Sequence, residues 1–248
     1  MVKGLDTFQK YFADYKEQYV LIGGAACDIL FESNEVNFRA TRDLDMVLIV
    51  EALTPEFGEK FWKFIVDGKY RNKATNGSNP QFYRFDKPED DNFPKMIELF
   101  CRSDFKLKDA KGITPIHIDD EVSSLSAILL NDDYYKALLN GKEVRKGLSV
   151  LRPEYIILFK AKAYLDLKRQ KDLGEKVDSS DIKKHKKDVL RIASELMLEK
   201  VEELPIAVDA DIHSFIDLLE QEPFDQNSLK RFGLKNEDVV EVLKQVFG

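Results

Sequence analysis

The sequence predicts an α+β chain: a first half with a mixed sheet, then a second half made only of helices. Three observations point there. Short apolar runs bounded by Gly, Pro, Asn and Asp recur as far as Leu151, as buried strands do. Segments of helical period lie between them, so strands and helices alternate. At Pro153 the texture changes, and from there to Gly248 every apolar pattern has a helical period. The expected division is therefore an α/β domain over 1–152 and a helical domain over 153–248.

In chain order, Leu5 to Gln18 places Leu5, Phe8, Tyr11, Phe12 and Tyr15 on one helical face. Tyr19 to Ile22 is a short buried strand stopped by Gly23-Gly24, and Ala25 to Phe31 reads as a helix. Asn34 to Arg42 is polar and irregular, and Leu44 to Val50 is a second buried strand. Pro55 suits the first turn of a helix running to Tyr70, and Asn72 to Pro80 is a loop. Gln81 to Asp86 and Met96 to Cys101 form a strand pair across KPEDDNFP. Ile113 to Ile118, Leu125 to Leu130 and Leu148 to Leu151 are further strands, with Asp132 to Lys146 between helix and loop. The second half holds helices over Glu154–Arg169, Asp181–Glu202, Asp209–Glu220 and Asn236–Phe247.

Apolar residues make up 44% of the chain, enough for a packed core. The net charge of −7 argues against a general nucleic-acid coat but leaves room for one local basic patch, KKHKK, Lys183 to Lys187. Its plain reading is a solvated helix face; the other is a dock for RNA phosphates. Two cysteines and three scattered histidines fit neither a disulfide framework nor a structural zinc site. No apolar run is long enough to span a bilayer and the N-terminus lacks a signal-peptide h-region, so the expectation is a cytoplasmic protein with no membrane partner.

Chemistry concentrates in LIGGAACDILFESNEVNFRATRDLDMVLIV, Leu21 to Val50. On a strand, Asp43 and Asp45 point to the same side. Two adjacent carboxylates raise each other's pKa unless a cation lies between them, and oxygen-only ligands suit Mg²⁺ or Mn²⁺. The alternative is a loop cap and a solvated edge acid. Gly23-Gly24 would let main-chain N–H groups approach a phosphate at the N-terminus of the next helix; an ordinary tight turn would look the same. Glu98 is the one charge within Met96–Cys101, and a buried acid needs a partner: a metal, or Arg84 on the facing strand. Lys162 lies in a helix apolar nearly all round, where it would reach a triphosphate, snorkel, or pair with Asp166; Lys160 lies on a different stripe.

With these residues in view, IGGAACDIL…FRATRDLDMVLIV resembles the signature of the DNA polymerase β-like nucleotidyltransferases. With Thr41 and Arg42 ahead of the acids it is similar to the AbiEii/AbiGii type, whose members serve as toxins of type IV toxin–antitoxin systems. Lys162 and Arg169 in KAKAYLDLKR, and Lys187-Asp188 in KKHKKDVLRIA, match that family's later motifs, so the resemblance runs from Tyr19 to Ala193. Ala25 stands where a Ser or Thr is frequent, and Arg191 where a second acid is frequent. The resemblance implies a polymerase β-like domain followed by a helical domain closing a cleft. It implies catalytic roles for Asp43, Asp45, Glu98, Lys162 and Asp188, and nucleotide contacts from Gly23, Gly24, Ala25, Arg42, Lys162 and Arg169. It further implies Mg²⁺ or Mn²⁺ on Asp43, Asp45 and Glu98, an NTP substrate, an acceptor hydroxyl on tRNA or another macromolecule, and an antitoxin partner. Two alternatives stay open: a small-molecule nucleotidyltransferase of aminoglycoside type, and a non-catalytic nucleotide-binding protein.

Overall fold

The computed structural model describes residues 2–33, 43–72, 82–101, 128–129 and 131–248. Its contacts divide the chain into two compact units, Met1–Ile118 with Lys142–Leu151, and Asp119–Gly141 with Arg152–Gly248.

The first unit is built on β1 (Tyr19–Leu21), β2 (Asp43–Leu48), β3 (Arg71–Asn72), β4 (Phe82–Asp86), β5 (Met96–Cys101), β6 (Lys142–Arg145) and β7 (Leu148–Leu151). They form a seven-stranded sheet in the order β3-β4-β5-β2-β1-β7-β6. The pairs β2/β5 and β1/β7 are parallel and the others antiparallel, so the sheet is mixed as expected. Helices α1 (Leu5–Phe12), α2 (Gly23–Ser33) and α3 (Pro55–Asp67) complete the unit. Thr54 starts α3: its hydroxyl accepts from the Phe57 N–H at 3.3 Å, and Pro55 follows in the first turn. Phe8 and Phe12 of α1 meet Phe64 of α3 at ring-centroid separations of 5.8 and 5.4 Å. α1 stops at Phe12 instead of Gln18, yet Tyr15 still packs on Phe57 at 5.8 Å. The aromatic face therefore survives where the helix does not.

The stretch Asp132 to Lys146 divides in two. Asn131 caps α4 (Asp132–Asn140) by accepting from the Asp133 and Tyr134 N–H groups, and Gly141 closes it. β6 then turns into β7 through Lys146 (φ 48°) and Gly147 (φ 75°), both left-handed, which is the geometry of a tight hairpin. This corrects the division expected at 152/153. α4 goes with the second unit, because Tyr134 bonds Asp211 there, and the hairpin goes with the first, because β7 pairs with β1. The expected strand Ile113–Ile118 lies outside the described residues, as does the segment Asn34 to Arg42. Of Leu125–Leu130, Ile128 and Leu129 are helical and buried, not extended.

The second unit contains α4, α5 (Pro153–Asp172), α6 (Ser179–Glu195), α7 (Ile206–Gln221), α8 (Gln226–Phe232) and α9 (Asn236–Phe247). Every element described there is helical. α6 ends at Glu195, not Glu202, where Leu196 turns extended. α8 is an addition to the sequence reading: Asp225 caps it and Gly233, at φ 66°, ends it. Among the described residues no helix is long and apolar enough to cross a membrane.

Candidate functional site

The ladder of the sheet places the acids. Asp43 and Asp45 are half-exposed on β2 while Leu44 and Met46 between and beyond them are buried, so the two carboxylates share a side. In the parallel pair β2/β5, Asp45 lies opposite Glu98; in the antiparallel pair β4/β5, Arg84 lies opposite the same Glu98. Register thus sets Arg84, Glu98 and Asp45 side by side across three neighbouring strands.

Glu98 is 7% exposed. Arg84 grips one of its oxygens from Nε at 2.8 Å and from a terminal nitrogen at 2.5 Å. On the other flank Glu98 hydrogen-bonds Asp45. Burial, then the charge of Asp45, push the Glu98 pKa up from 4.5 to about 8, against the pull of Arg84. Burial and Asp45 thus favour the protonated form of Glu98, and Arg84 the charged form. Of the two expected partners of Glu98, a metal or the strand-facing arginine, Arg84 is the one seen, with Asp45 on the other flank.

The glycine turn belongs to the same cluster. The Ile22 N–H donates to the Asp45 carbonyl at 3.0 Å, and α2 starts at the next residue. Gly23 has φ +61°, and a Cβ there would collide with the Asp45 carboxylate. Only glycine meets both conditions. The close approach expected for a phosphate is thus made by Asp45. Gly24 and Ala25 are buried behind it.

Among the described residues no group of three or more His, Cys, Asp or Glu side chains is arranged to hold a metal ion. The donor chemistry nevertheless fits a hard divalent cation: Asp43, Asp45 and Glu98 offer only carboxylate oxygens. The like charge of Asp45 and Glu98 is relieved here by one proton and one guanidinium, which is the work a cation would do.

The remaining candidates lie in the second unit. Lys162 binds Asp166 at 3.1 Å and Asp211 at 3.2 Å, 6.0 Å from the Tyr134 ring centroid. Burial alone would lower its pKa, but the hydrogen bonds and charges of Asp166 and Asp211 outweigh it and raise it. Asp188 meets Lys160, at 3.3 Å, and not Lys162; the two are 3% and 9% exposed. The two lysines lie on different stripes of α5, but the helix is buried nearly all round, so burial did not tell which of them meets Asp188. Arg169 is exposed in the last turn of α5, and Arg191 pairs with Glu195 at 2.7 Å. Arg42 lies outside the described residues. Arg84 is the site residue that sequence reasoning had cast only as a rival partner; its place opposite Glu98 was the available signal.

No family model matches this chain, and no curated protein matches it. Among solved structures it is similar to an antigenic nucleotidyltransferase-like protein from Paracoccidioides brasiliensis, at 16% identity and TM-score 0.49 over 98% of this chain and 93% of that one. It is also similar to JHP933 from Helicobacter pylori, at 12% identity and TM-score 0.34 over 98% of this chain and 85% of that one. Likeness at this level leaves the chemistry to be read from the residues themselves.

Proposed function

We propose that the chain is a metal-dependent nucleotidyltransferase that moves a nucleoside monophosphate from an NTP to an acceptor hydroxyl. The supporting observation is Asp45 set in register against Glu98, with Asp43 on the same side of β2 and Gly23 pressed against Asp45. Asp43, Asp45 and Glu98 would hold Mg²⁺ or Mn²⁺. When bound, that ion supplies neutralisation of the triphosphate and polarisation at the α-phosphorus. With a cation relieving the charge of Asp45, Glu98 would be ionised and take the proton of the attacking hydroxyl, and Arg84 favours the charged form that this requires. The hydroxyl oxygen bonds the α-phosphorus, the bridge to the β-phosphate breaks, and pyrophosphate leaves. Ala25 brings no hydroxyl, so the start of α2 offers main-chain N–H groups alone. Lys162 would have to leave Asp166 and Asp211 to reach a triphosphate. The resemblance to the AbiEii type extends this to tRNA as acceptor and to a cytoplasmic toxin with an antitoxin partner.

The test is incubation with Mg²⁺, each α-labelled NTP and total tRNA, beside Asp43→Ala/Asp45→Ala. Label on RNA that disappears in the double variant supports the reading. Acid-dependent label on a small hydroxylated substrate, and none on RNA, assigns the small-molecule alternative. The grip of Arg84 on Glu98 favours a third reading, nucleotide binding without turnover. Metal-dependent NTP binding with no transfer to any acceptor would establish it.

A further inference from the structure

The second unit contains a cavity of about 550 Å³, walled by α5, α6 and the turn into α8. That size lies within the range of small-molecule sites. Its charge opposes that of the whole chain. Five lysines line it, Lys168 and Lys171 from α5 and Lys183, Lys186 and Lys187 from α6, against three carboxylates, Asp172, Glu222 and Asp225. The chain as a whole carries −7.

Two of those carboxylates are already engaged. Glu222 binds Lys168 at 2.9 Å and accepts from the Tyr164 hydroxyl at 3.3 Å. Asp225 caps α8, accepting from the Ser228 N–H and hydroxyl at 2.9 Å. Lys186 is half-buried and donates to main-chain carbonyls, Glu222 and, at 3.2 Å, Pro223. Its ammonium lies between two rings, 5.6 Å from Tyr164 and 5.5 Å from Phe224. Burial lowers its pKa first, and the charge of Lys168 adds to that, with Glu222 opposing. Lys183 and Lys187 are exposed.

Like-charged amines gathered in one concavity repel one another and raise the local positive potential. An anion removes that cost, and one with several charges removes it best. We propose that this cavity is a binding site for a small multiply charged phosphate compound, a polyphosphate chain or the phosphates of a nucleoside polyphosphate. Lys186 supplies the inner charge beside the Tyr164 and Phe224 rings, and Lys183 and Lys187 the exposed outer amines. A long RNA is the less apt ligand, because these amines surround a hollow and are not strung along a surface. The site is independent of the acid cluster on the sheet and needs no metal.

The test is titration calorimetry of the whole chain with sodium tripolyphosphate, in EDTA and at fixed ionic strength. The variants are Lys183→Ala/Lys187→Ala, Lys183→Arg/Lys187→Arg and Asp43→Asn/Asp45→Asn. Both lysines are exposed, so folding should persist, and thermal melts check it. Saturable binding is expected, weakened by about tenfold in the alanine pair through loss of two charge-assisted contacts. It should be kept in the arginine pair and in the asparagine pair. Four results would overturn the proposal: no binding, equal binding in the alanine pair, loss in the asparagine pair, or lysine-dependent capture of a single-stranded RNA without capture of tripolyphosphate.

Discussion

The two units treat charge in opposite ways. In the helical unit two lysines of α5 are matched by carboxylates: Lys160 has Asp188, and Lys162 has Asp166 and Asp211. In the sheet unit, Asp45 and Glu98 are pressed together in one register, and a single arginine and a shared proton contain the conflict. Matched buried charges hold a fold in one arrangement; mismatched ones hold free energy that a ligand can release. The contrast separates the residues expected to fail in stability from those expected to fail in activity.

The sharpest way to break this comparison is at Asp45. Asp45→Ala should lower nucleotidyl transfer by on the order of 10³-fold while leaving the melt within a few degrees of wild type. An unfolded variant would mean that the acid cluster is structural. The reverse is expected in the helical unit. Asp188→Ala removes the carboxylate that pairs with the buried Lys160 and should cost about 3 kcal/mol in urea unfolding. The paired replacement Lys160→Met/Asp188→Leu should recover most of it.

Gly23→Ala comes next. A left-handed φ and the Asp45 carboxylate both oppose the new methyl, so we expect roughly 2 kcal/mol of destabilisation with a further loss of activity. Stability against pH then reports the Asp45–Glu98 conflict. Glu98 has its folded-state pKa raised from 4.5 to about 8, so its contribution is fully present below pH 4.5 and is lost as pH rises through about 8. Glu98→Gln should flatten that fall. Since Arg84 pulls the Glu98 pKa down, Arg84→Met should move the fall to higher pH. The smallest effect is expected at Lys162. Its side chain is 24% exposed, and Lys162→Met should cost about 1 kcal/mol or less. A larger loss of transfer than of stability there would restore its expected role at the triphosphate.

Much of this was legible in the linear chain because it rests on local chemistry. The β4/β5 strand pair, the placement of both aspartates on one side of β2 and the helical second half follow from period and punctuation. The β6/β7 hairpin was missed because its turn, Lys146-Gly147, needs a positive φ at a lysine, which no side-chain pattern announces. α8 is only one short stretch of QNSLKRF, and its signals are a capping aspartate and a closing glycine with no apolar stripe of any length.

The sequence by itself determined the alternation of strands and helices and the acid pair, since each depends on neighbours within a few positions. Tertiary structure alone decided which lysine meets Asp188, that Glu98 lies between Arg84 and Asp45, and that five lysines surround a hollow against three acids. Those facts depend on strand register and on helices meeting at a distance along the chain. A shift of one residue in either would exchange every partner while leaving the local pattern unchanged.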